Sequence, residues 1–421
     1  MQLISRNGLI MSNRRDEHYN PTRNTTPTSV RVMEPPIPCS RGEGPAYYGG
    51  LHQFTEAPNM MHRAVPSSIA TFSINGRFYG QPITGVQRYA REIVSQIDGL
   101  LSHRGARALM ILPPATDAPP ALASIEPRRA GGASGHLWEQ TILPVRSKAP
   151  LLNLCNTGPL STRRQVVCMH DTNVFDAPGS YSPAFRALYR VLLPSLVRRG
   201  AVVTSVSRFA ARQLAHRLGL APQAITVMYN GREHVYRWNA AASGLPLRLR
   251  GIRPFVLLLG SRARHKNATF ILRQADVLDA LGIDLVVAGG AAAIFSRTEA
   301  VQASNIHRLG FVTDDDLAWL YAHALCLAFP SRSEGFGLPI LEAMTLGCPV
   351  VASDQSCMPE ICGDAALLTN PDDASAWQTH FRSLAASLNL RADLRGRGLE
   401  RARAFSWRDS AEGYLDLLSR L

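Results

Sequence analysis

From residue 69 onward the chain alternates two rhythms of apolar spacing. Ile69–Asn75 is a short apolar run that reads as a strand. In Val86–Leu101 the apolar side chains Val86, Tyr89, Ile93, Val94, Ile97 and Leu101 recur at helical spacing. The same reading predicts strands at Arg107–Leu112, Gln165–Met169, Val202–Val206 and Ile225–Tyr229. Helices are predicted at Pro183–Val197 and Ser207–Leu218, and the Pro/Ala/Gly-rich residues 113–135 read as a long mobile loop. Residues 237–252 read as a linker. A second series follows, with strands at Phe255–Gly260, Leu285–Ala288, Ile306–Leu309, Cys326–Phe329 and Val350–Ala352. Its helices are Asn267–Leu281, Asp314–Ala324 and Pro339–Leu346. Two successive strand–helix series predict an α/β protein with two doubly wound domains, at 69–236 and 253–398. Such sheets bind ligands beyond the carboxyl ends of their strands, so two facing domains enclose a cleft.

The length of 421 residues suits two or three domains. A hydrophobic fraction of 46% and a charged fraction of 18% exclude a wholly disordered, collagen-like or coiled-coil chain. Residues 1–68 are the exception: poor in aliphatics and rich in Pro, Asn, Thr, Arg and Gly, they read as a disordered extension. Met60 and Met61 stand just before the first strand, where translation could also begin. No run of 18 apolar residues suggests a spanning helix, and the N-terminus lacks the apolar core of a signal peptide. The seven cysteines form no C-x-x-C pair; they read as reduced thiols of a cytosolic protein, with no zinc site.

The net charge of +13 is unevenly spread. Residues 1–68 carry +2, residues 69–235 carry +11, and residues 236–421 carry zero. Only Lys148 and Lys266 are lysines; a compositional bias toward arginine explains that, but not the asymmetry. A basic first half implies an anionic partner, whether nucleic acid, an acidic lipid surface or a phosphorylated substrate.

Four stretches carry candidate chemistry. In FPSRSEGFGLPILEAMTLGCPVVAS, residues 329–353, Glu334 lies in a loop beside Gly335 and Gly337, Pro339 suits a first helical turn, and Glu342 lies one turn inside. The helix start offers free N–H groups to a phosphate. The two carboxylates can accept hydrogen bonds from sugar hydroxyls, although each also suits a helix N-terminus. In LLLGSRARHKNATFIL, residues 257–272, Arg262 and Lys266 follow a strand end, where cations can neutralise a diphosphate; Arg264 and His265 are further cations without an assigned role. In NGRFYGQPITGVQRYARE, residues 75–92, Thr84 and Gln87 form a capping box and Gly85 allows close approach of backbone to ligand; an ordinary strand–helix loop fits as well. In VVCMHDTN, residues 166–173, a buried strand ends in His170-Asp171, open to a structural or a catalytic role. Asp314–Asp316 contains a D-x-D but reads as an acidic helix start. The helix around residues 182–200 combines Leu and Val with four arginines and fits either a membrane surface or packing on the sheet.

The E-x(7)-E from Glu334 to Glu342, in the setting SEGFGLPILEAM, resembles the signature of family 4 retaining glycosyltransferases, and the likeness extends over residues 69–418. The resemblance implies a GT-B fold of two Rossmann-like domains, the first binding an acceptor and the second a nucleoside-diphosphate sugar. It implies that Glu334 contacts the donor hexose and Glu342 the ribose, while Gly335, Phe336, Gly337 and Leu338 line the donor through their backbone. Arg262 and Lys266 match the family's phosphate clamp, Gly85 its first glycine-rich loop, which binds the donor at its diphosphate and also faces the acceptor, and His170 the histidine beside the donor sugar. Residues 399–421 match a last helix that crosses back to the first domain. The pattern is most similar to bacterial mannosyltransferases of polysaccharide assembly. It implies GDP-mannose as donor, a saccharide or polyprenyl-diphosphate-linked acceptor, no cofactor and no metal. A cytoplasmic protein at the inner membrane face would use the +11 half to meet anionic lipid. Two other readings stand beside it: another sugar-nucleotide enzyme, such as an epimerase or phosphorylase, and a basic protein binding nucleic acid or lipid. The chain lacks an aromatic-plus-basic RNA motif, so no nucleic acid is expected.

Overall fold

In the computed structural model of the protein, residues 72–116, 119–148, 150–261, 263–289 and 303–421 are described. The expectations for residues 1–68, for the start of the first strand at Ile69–Thr71, and for Arg262 lie outside these residues. Residues Arg63–Leu421 form one compact unit.

Two wholly parallel sheets organise the described chain. The first contains β1 (Ser73–Asn75), β2 (Ala108–Leu112), β3 (Ile125–Arg129), β4 (Leu151–Asn153), β5 (Gln165–Cys168), β6 (Val202–Ser205) and β7 (Thr226–Val227), in the order β3-β2-β1-β4-β5-β6-β7. The second contains β8 (Phe255–Leu259), β9 (Asp284–Ala288), β10 (Ile306–Gly310), β11 (Cys326–Phe329), β12 (Val350–Ser353) and β13 (Leu367–Thr369), in the order β10-β9-β8-β11-β12-β13. Apolar runs such as FVLLL in β8, buried over Phe255–Leu258, are sheltered because helices cover both faces of a parallel sheet. Strand order reverses between β1 and β4 and again between β8 and β11. Chains leaving those strands diverge to opposite faces and open a crevice at each carboxyl edge.

The helix Gly85–His103 buries Tyr89, Ile93, Val94, Ile97 and Leu101, the stripe read from the sequence. The C-terminal helix Trp407–Ser419 lies on the first half of the chain. Its Tyr414 hydroxyl meets the Tyr89 hydroxyl at 2.8 Å and Thr204 Oγ1 at 3.0 Å, and Ser410 Oγ donates to the Tyr229 carbonyl at 2.6 Å.

Several elements differ from expectation. The stretch 113–135 is not one loop: Ile125–Arg129 is an edge strand paired in parallel with β2. Pro127 interrupts its pattern, which an edge position tolerates because one side of the strand needs no ladder bonds. The buried carboxylate of Asp98, on the Gly85–His103 helix, anchors this strand by accepting from the backbone N–H of Ala123, Ser124 and Ile125 at 2.8–2.9 Å. The expected helix Asn267–Leu281 is two helices, Ala268–Leu272 and Ala275–Ala280. Between them the backbone tightens, with Gln274 N–H bonded three residues back to Ile271 O at 2.9 Å. The linker 237–252 includes a helical turn, Leu245–Arg248, with Leu245 buried. The strand expected at Ile225–Tyr229 is reduced to Thr226–Val227.

Candidate functional site: the carboxyl edges of the two sheets

Lys266 follows β8 and Glu334 follows β11, so the two residues flank the crevice of the second sheet. Lys266 Nζ stands 3.0 Å from Glu334 Oε1, with side-chain exposures of 31% and 12%. The ammonium lies off the hydrogen-bond direction of that oxygen, which is buried and has no hydrogen-bond partner. The contact is an ion pair between opposite charges at the crevice. The loop that carries Glu334 is pinned at its backbone: Glu334 N–H donates to Ser356 Oγ at 3.0 Å, and the Ser356 hydroxyl donates to Glu334 O at 2.8 Å.

Gly335, Phe336, Gly337 and Leu338 form the turn into the helix Leu338–Thr345. Gly337 has φ +83°, a left-handed conformation open to glycine at little cost. The side chains of Phe336 and Leu338 are buried, and Phe336 packs against Phe405 with ring centroids 5.6 Å apart. Only their backbone is left to meet a ligand. Gly335 is pressed against the first sheet: a Cβ there would stand 2.0 Å from the His170 carbonyl oxygen, and Ser207 Oγ donates to Gly335 O at 2.6 Å.

His170 thus meets the Glu334 loop through its carbonyl. Its ring is buried, with Nε2–H donating to Leu154 O at 2.8 Å and Tyr89 edge-on at 4.9 Å. Asp171 accepts from Asn173 N–H at 2.8 Å, and burial raises its carboxyl above the usual range. Ser333 Oγ donates to Asn173 Oδ1 at 2.8 Å. His265 Nδ1 lies 3.1 Å from Ser180 Oγ; burial holds this imidazole below its ordinary value despite the attraction of Glu334. The carboxyl edges of the two sheets are therefore in direct contact around Lys266 and Glu334. Glu360 adds a further tie, accepting from the N–H of Arg208 and Phe209 at 2.8 and 2.9 Å and from Tyr229 OH at 2.9 Å.

Glu342 has different neighbours. It is buried on the Leu338–Thr345 helix, Oε1 3.1 Å from His234 Nε2 and Oε2 accepting from Tyr321 OH at 3.2 Å. Trp407 Nε1–H donates to His234 Nδ1 at 3.0 Å. An indole can only donate, so His234 Nδ1 is the acceptor and its proton sits on Nε2, facing Glu342. Burial, reinforced by Glu342, pushes the Tyr321 phenol well up, so it remains a donor. Trp407, His234 and Tyr321 are remote in sequence from Glu342, and no local motif marked them. Gly85 is exposed at the first turn of its helix with open space before it, and no contact among the described residues links it to Lys266 or Glu334. Arg88, in the same turn, clasps Asp314 with bonds of 3.0 and 2.6 Å. Asp315 accepts from Asn239 N–H and Asp316 from Ser243 Oγ, so all three acids of the D-x-D stretch have protein partners.

Two doubly wound sheets meeting at their carboxyl edges define a GT-B fold. Solved structures agree: WaaG, a glycosyltransferase involved in lipopolysaccharide biosynthesis, matches with a TM-score of 0.61 at 16% identity, covering 82% of this chain and 99% of that one. Anabaena HepE in complex with UDP and glucose matches with a TM-score of 0.62 at 18% identity, covering 84% of this chain and 100% of that one.

Residues 253–387 match the family described as glycosyl transferases group 1, so this stretch carries a domain of that group. Sequence relatives include O-antigen chain mannosyltransferase B of Escherichia coli, 29% identical over 261 residues, which are 59% of this chain and 68% of that protein. O-antigen chain mannosyltransferase RfbU of Salmonella typhimurium is 27% identical over 236 residues, 54% of this chain and 63% of that protein.

Proposed function

We propose that the protein is a retaining mannosyltransferase that moves mannose from GDP-mannose to a saccharide on a lipid-linked acceptor during polysaccharide assembly. The observation that carries this reading is Lys266 Nζ 3.0 Å from a buried Glu334 oxygen that has no hydrogen-bond partner, at the crevice between β8 and β11. A carboxylate at the crevice is an acceptor type suited to a sugar hydroxyl, and the adjoining ammonium suits the diphosphate. The choice of mannose is supported by the two mannosyltransferases among the relatives.

Lys266, with Arg262, draws charge from the departing GDP, while the backbone of Gly335, Gly337 and Leu338 faces its phosphates. Glu334 holds the hexose, and Glu342, set by His234 and Tyr321, serves the ribose. His170 presents its carbonyl beside the Glu334 loop, and Gly85 leaves room at the acceptor side. The bond from the anomeric carbon to diphosphate oxygen breaks as the acceptor oxygen bonds to the same face, and the acceptor proton passes to the leaving phosphate. The geometry differs from hydrolases that flank the bond with two carboxylates. Incubation with GDP-mannose and an α-mannoside acceptor is expected to add one hexose in α linkage, read by mass and by the one-bond carbon–proton coupling at the anomeric carbon. A β-linked product, or free mannose alone, would overturn the reading.

The basic half offers a surface for anionic membrane at the cytoplasmic face. The helix Pro183–Arg198 buries Tyr189, Leu192, Leu193 and Leu196 on the sheet, yet shows Leu188 and Val191 to solvent, 42% and 65% exposed, among Arg186, Arg190 and Arg198. Among the described residues no helix is long and apolar enough to cross a membrane. Co-sedimentation with vesicles is expected to rise with acidic lipid content and to fall on Val191→Asp; indifference to acidic lipid contradicts the docking.

A further inference from the structure

The crevice of the first sheet, between β1 and β4, is closed at its floor by a buried polar network. Glu139 there accepts from Asn75 Nδ2 and Thr157 Oγ1 at 2.8 Å and lies 3.3 Å from Arg77 Nε, so every floor group has a partner and no charge is left for a ligand. What rises from that floor toward the second sheet is aromatic. Tyr189, Phe185 and Tyr181 follow one another at four-residue steps, the last just before the helix Pro183–Arg198. Phe185 stacks on Tyr189 at 4.1 Å and on Tyr181 at 5.4 Å, the latter with ring planes only 8° apart. Tyr189 is buried, whereas Phe185 and Tyr181 are half-exposed. The far end of this column reaches the reacting residues. Ser180, next to Tyr181, bonds to His265, the neighbour of Lys266. Burial, then the carboxylates of Asp171 and Glu334, raises the Tyr181 phenol well above its ordinary range, which places it within the field of those acids.

Phe185 is the middle ring and its faces are taken, so the outer face of the half-exposed Tyr181 is the one left to a ligand; held flat by stacking, it has little entropy to lose on binding. A pyranose presents axial C–H bonds on one face and hydroxyls at its rim, and such a face stacks on an aromatic ring. We propose that Tyr181, backed by Phe185, is a platform for the acceptor saccharide, seating a sugar ring flat on its outer face at the Ser180 and His265 end of the column. The proposal rests on the transfer reaction above and assigns its acceptor subsite. This stacking requires a sugar with a flat C–H face toward Tyr181.

The test uses the full chain and α-mannobiose as probe. Saturation-transfer NMR, which needs no turnover, is expected to show transfer from aromatic protons to the axial sugar protons. Tyr181→Leu is expected to abolish that transfer and to raise the acceptor KM by roughly tenfold, while Tyr181→Phe, which keeps the ring, restores both. Affinity for GDP, measured on the same samples, is expected to stay within about twofold, since neither ring belongs to the donor side. Absence of saturation transfer, or transfer undiminished in Tyr181→Leu, overturns the platform. Failure of the transferase reading looks different: no GDP binding and no product, with the sugar signal intact.

Discussion

Lys266→Ala is expected to lower kcat/KM for the donor by about 10²–10³, with the loss mainly in kcat. On the proposed mechanism the ammonium would face the negative charge that grows as the diphosphate departs, and it stands 3.0 Å from Glu334. Removing it also leaves a nearly buried carboxylate without its counter-ion, so the hexose would bind beside an unpaired charge. The fold should hardly notice. A pair with one partner about a third exposed contributes no more than about 1 kcal/mol, so the melting temperature should change little. Lys266→Arg keeps the charge but changes its shape, and intermediate rates are expected. Steady-state kinetics and thermal melts on the same preparations check this. Unchanged kcat in Lys266→Ala would remove the cation from the mechanism.

Gly335→Ala should damage both stability and activity. An added Cβ would lie 2.0 Å from the His170 carbonyl oxygen and 3.0 Å from its carbon, and both are backbone atoms that cannot swing away. The Glu334 loop must shift, or the two carboxyl edges must part. Overpacking of this kind costs about 1–3 kcal/mol, visible as a lower urea midpoint. A displacement of about 1 Å at a positioned carboxylate can reduce turnover by roughly 10²-fold. Gly85 provides the contrast, because a Cβ there meets nothing within 4 Å. If Gly335→Ala matched the unaltered protein in both urea midpoint and kcat, the contact between the sheets would be irrelevant to the reaction.

The sequence made the two-sheet plan legible because buried parallel strands and their helices have strong, different periodicities. It failed where local pattern is weak. The edge strand Ile125–Arg129 carries Pro127 and buries only its first residue, so nothing alternates, and its anchor Asp98 lies on a distant helix. Leu151–Asn153 is three residues long, too short to show a period, yet it borders the first crevice. At the site, Lys266 and Glu334 were legible because each follows a strand end and each sits in a distinctive motif. Their pairing was not, since it depends on β8 and β11 being neighbours. The environment of Glu342 was hidden for the same reason: His234 and Trp407 come from segments 108 residues before it and 65 residues after it, brought in by the fold. His170 illustrates a subtler limit. Its position at a strand end was readable, but that its carbonyl would face the Glu334 loop, with the ring turned onto Tyr89, follows only from packing.

The most direct check on the role of the paired charges is ligand-dependent melting of the unaltered protein, Lys266→Ala and Glu334→Gln with GDP and GDP-mannose. A ligand at about 100 times its dissociation constant stabilises by roughly 2.7 kcal/mol, a shift of several degrees. Both ligands should raise the melting temperature of the unaltered protein. Lys266→Ala should lose most of both shifts, and Glu334→Gln only the part that GDP-mannose adds over GDP. Equal shifts in all three proteins would mean that the activated sugar is gripped somewhere other than between Lys266 and Glu334.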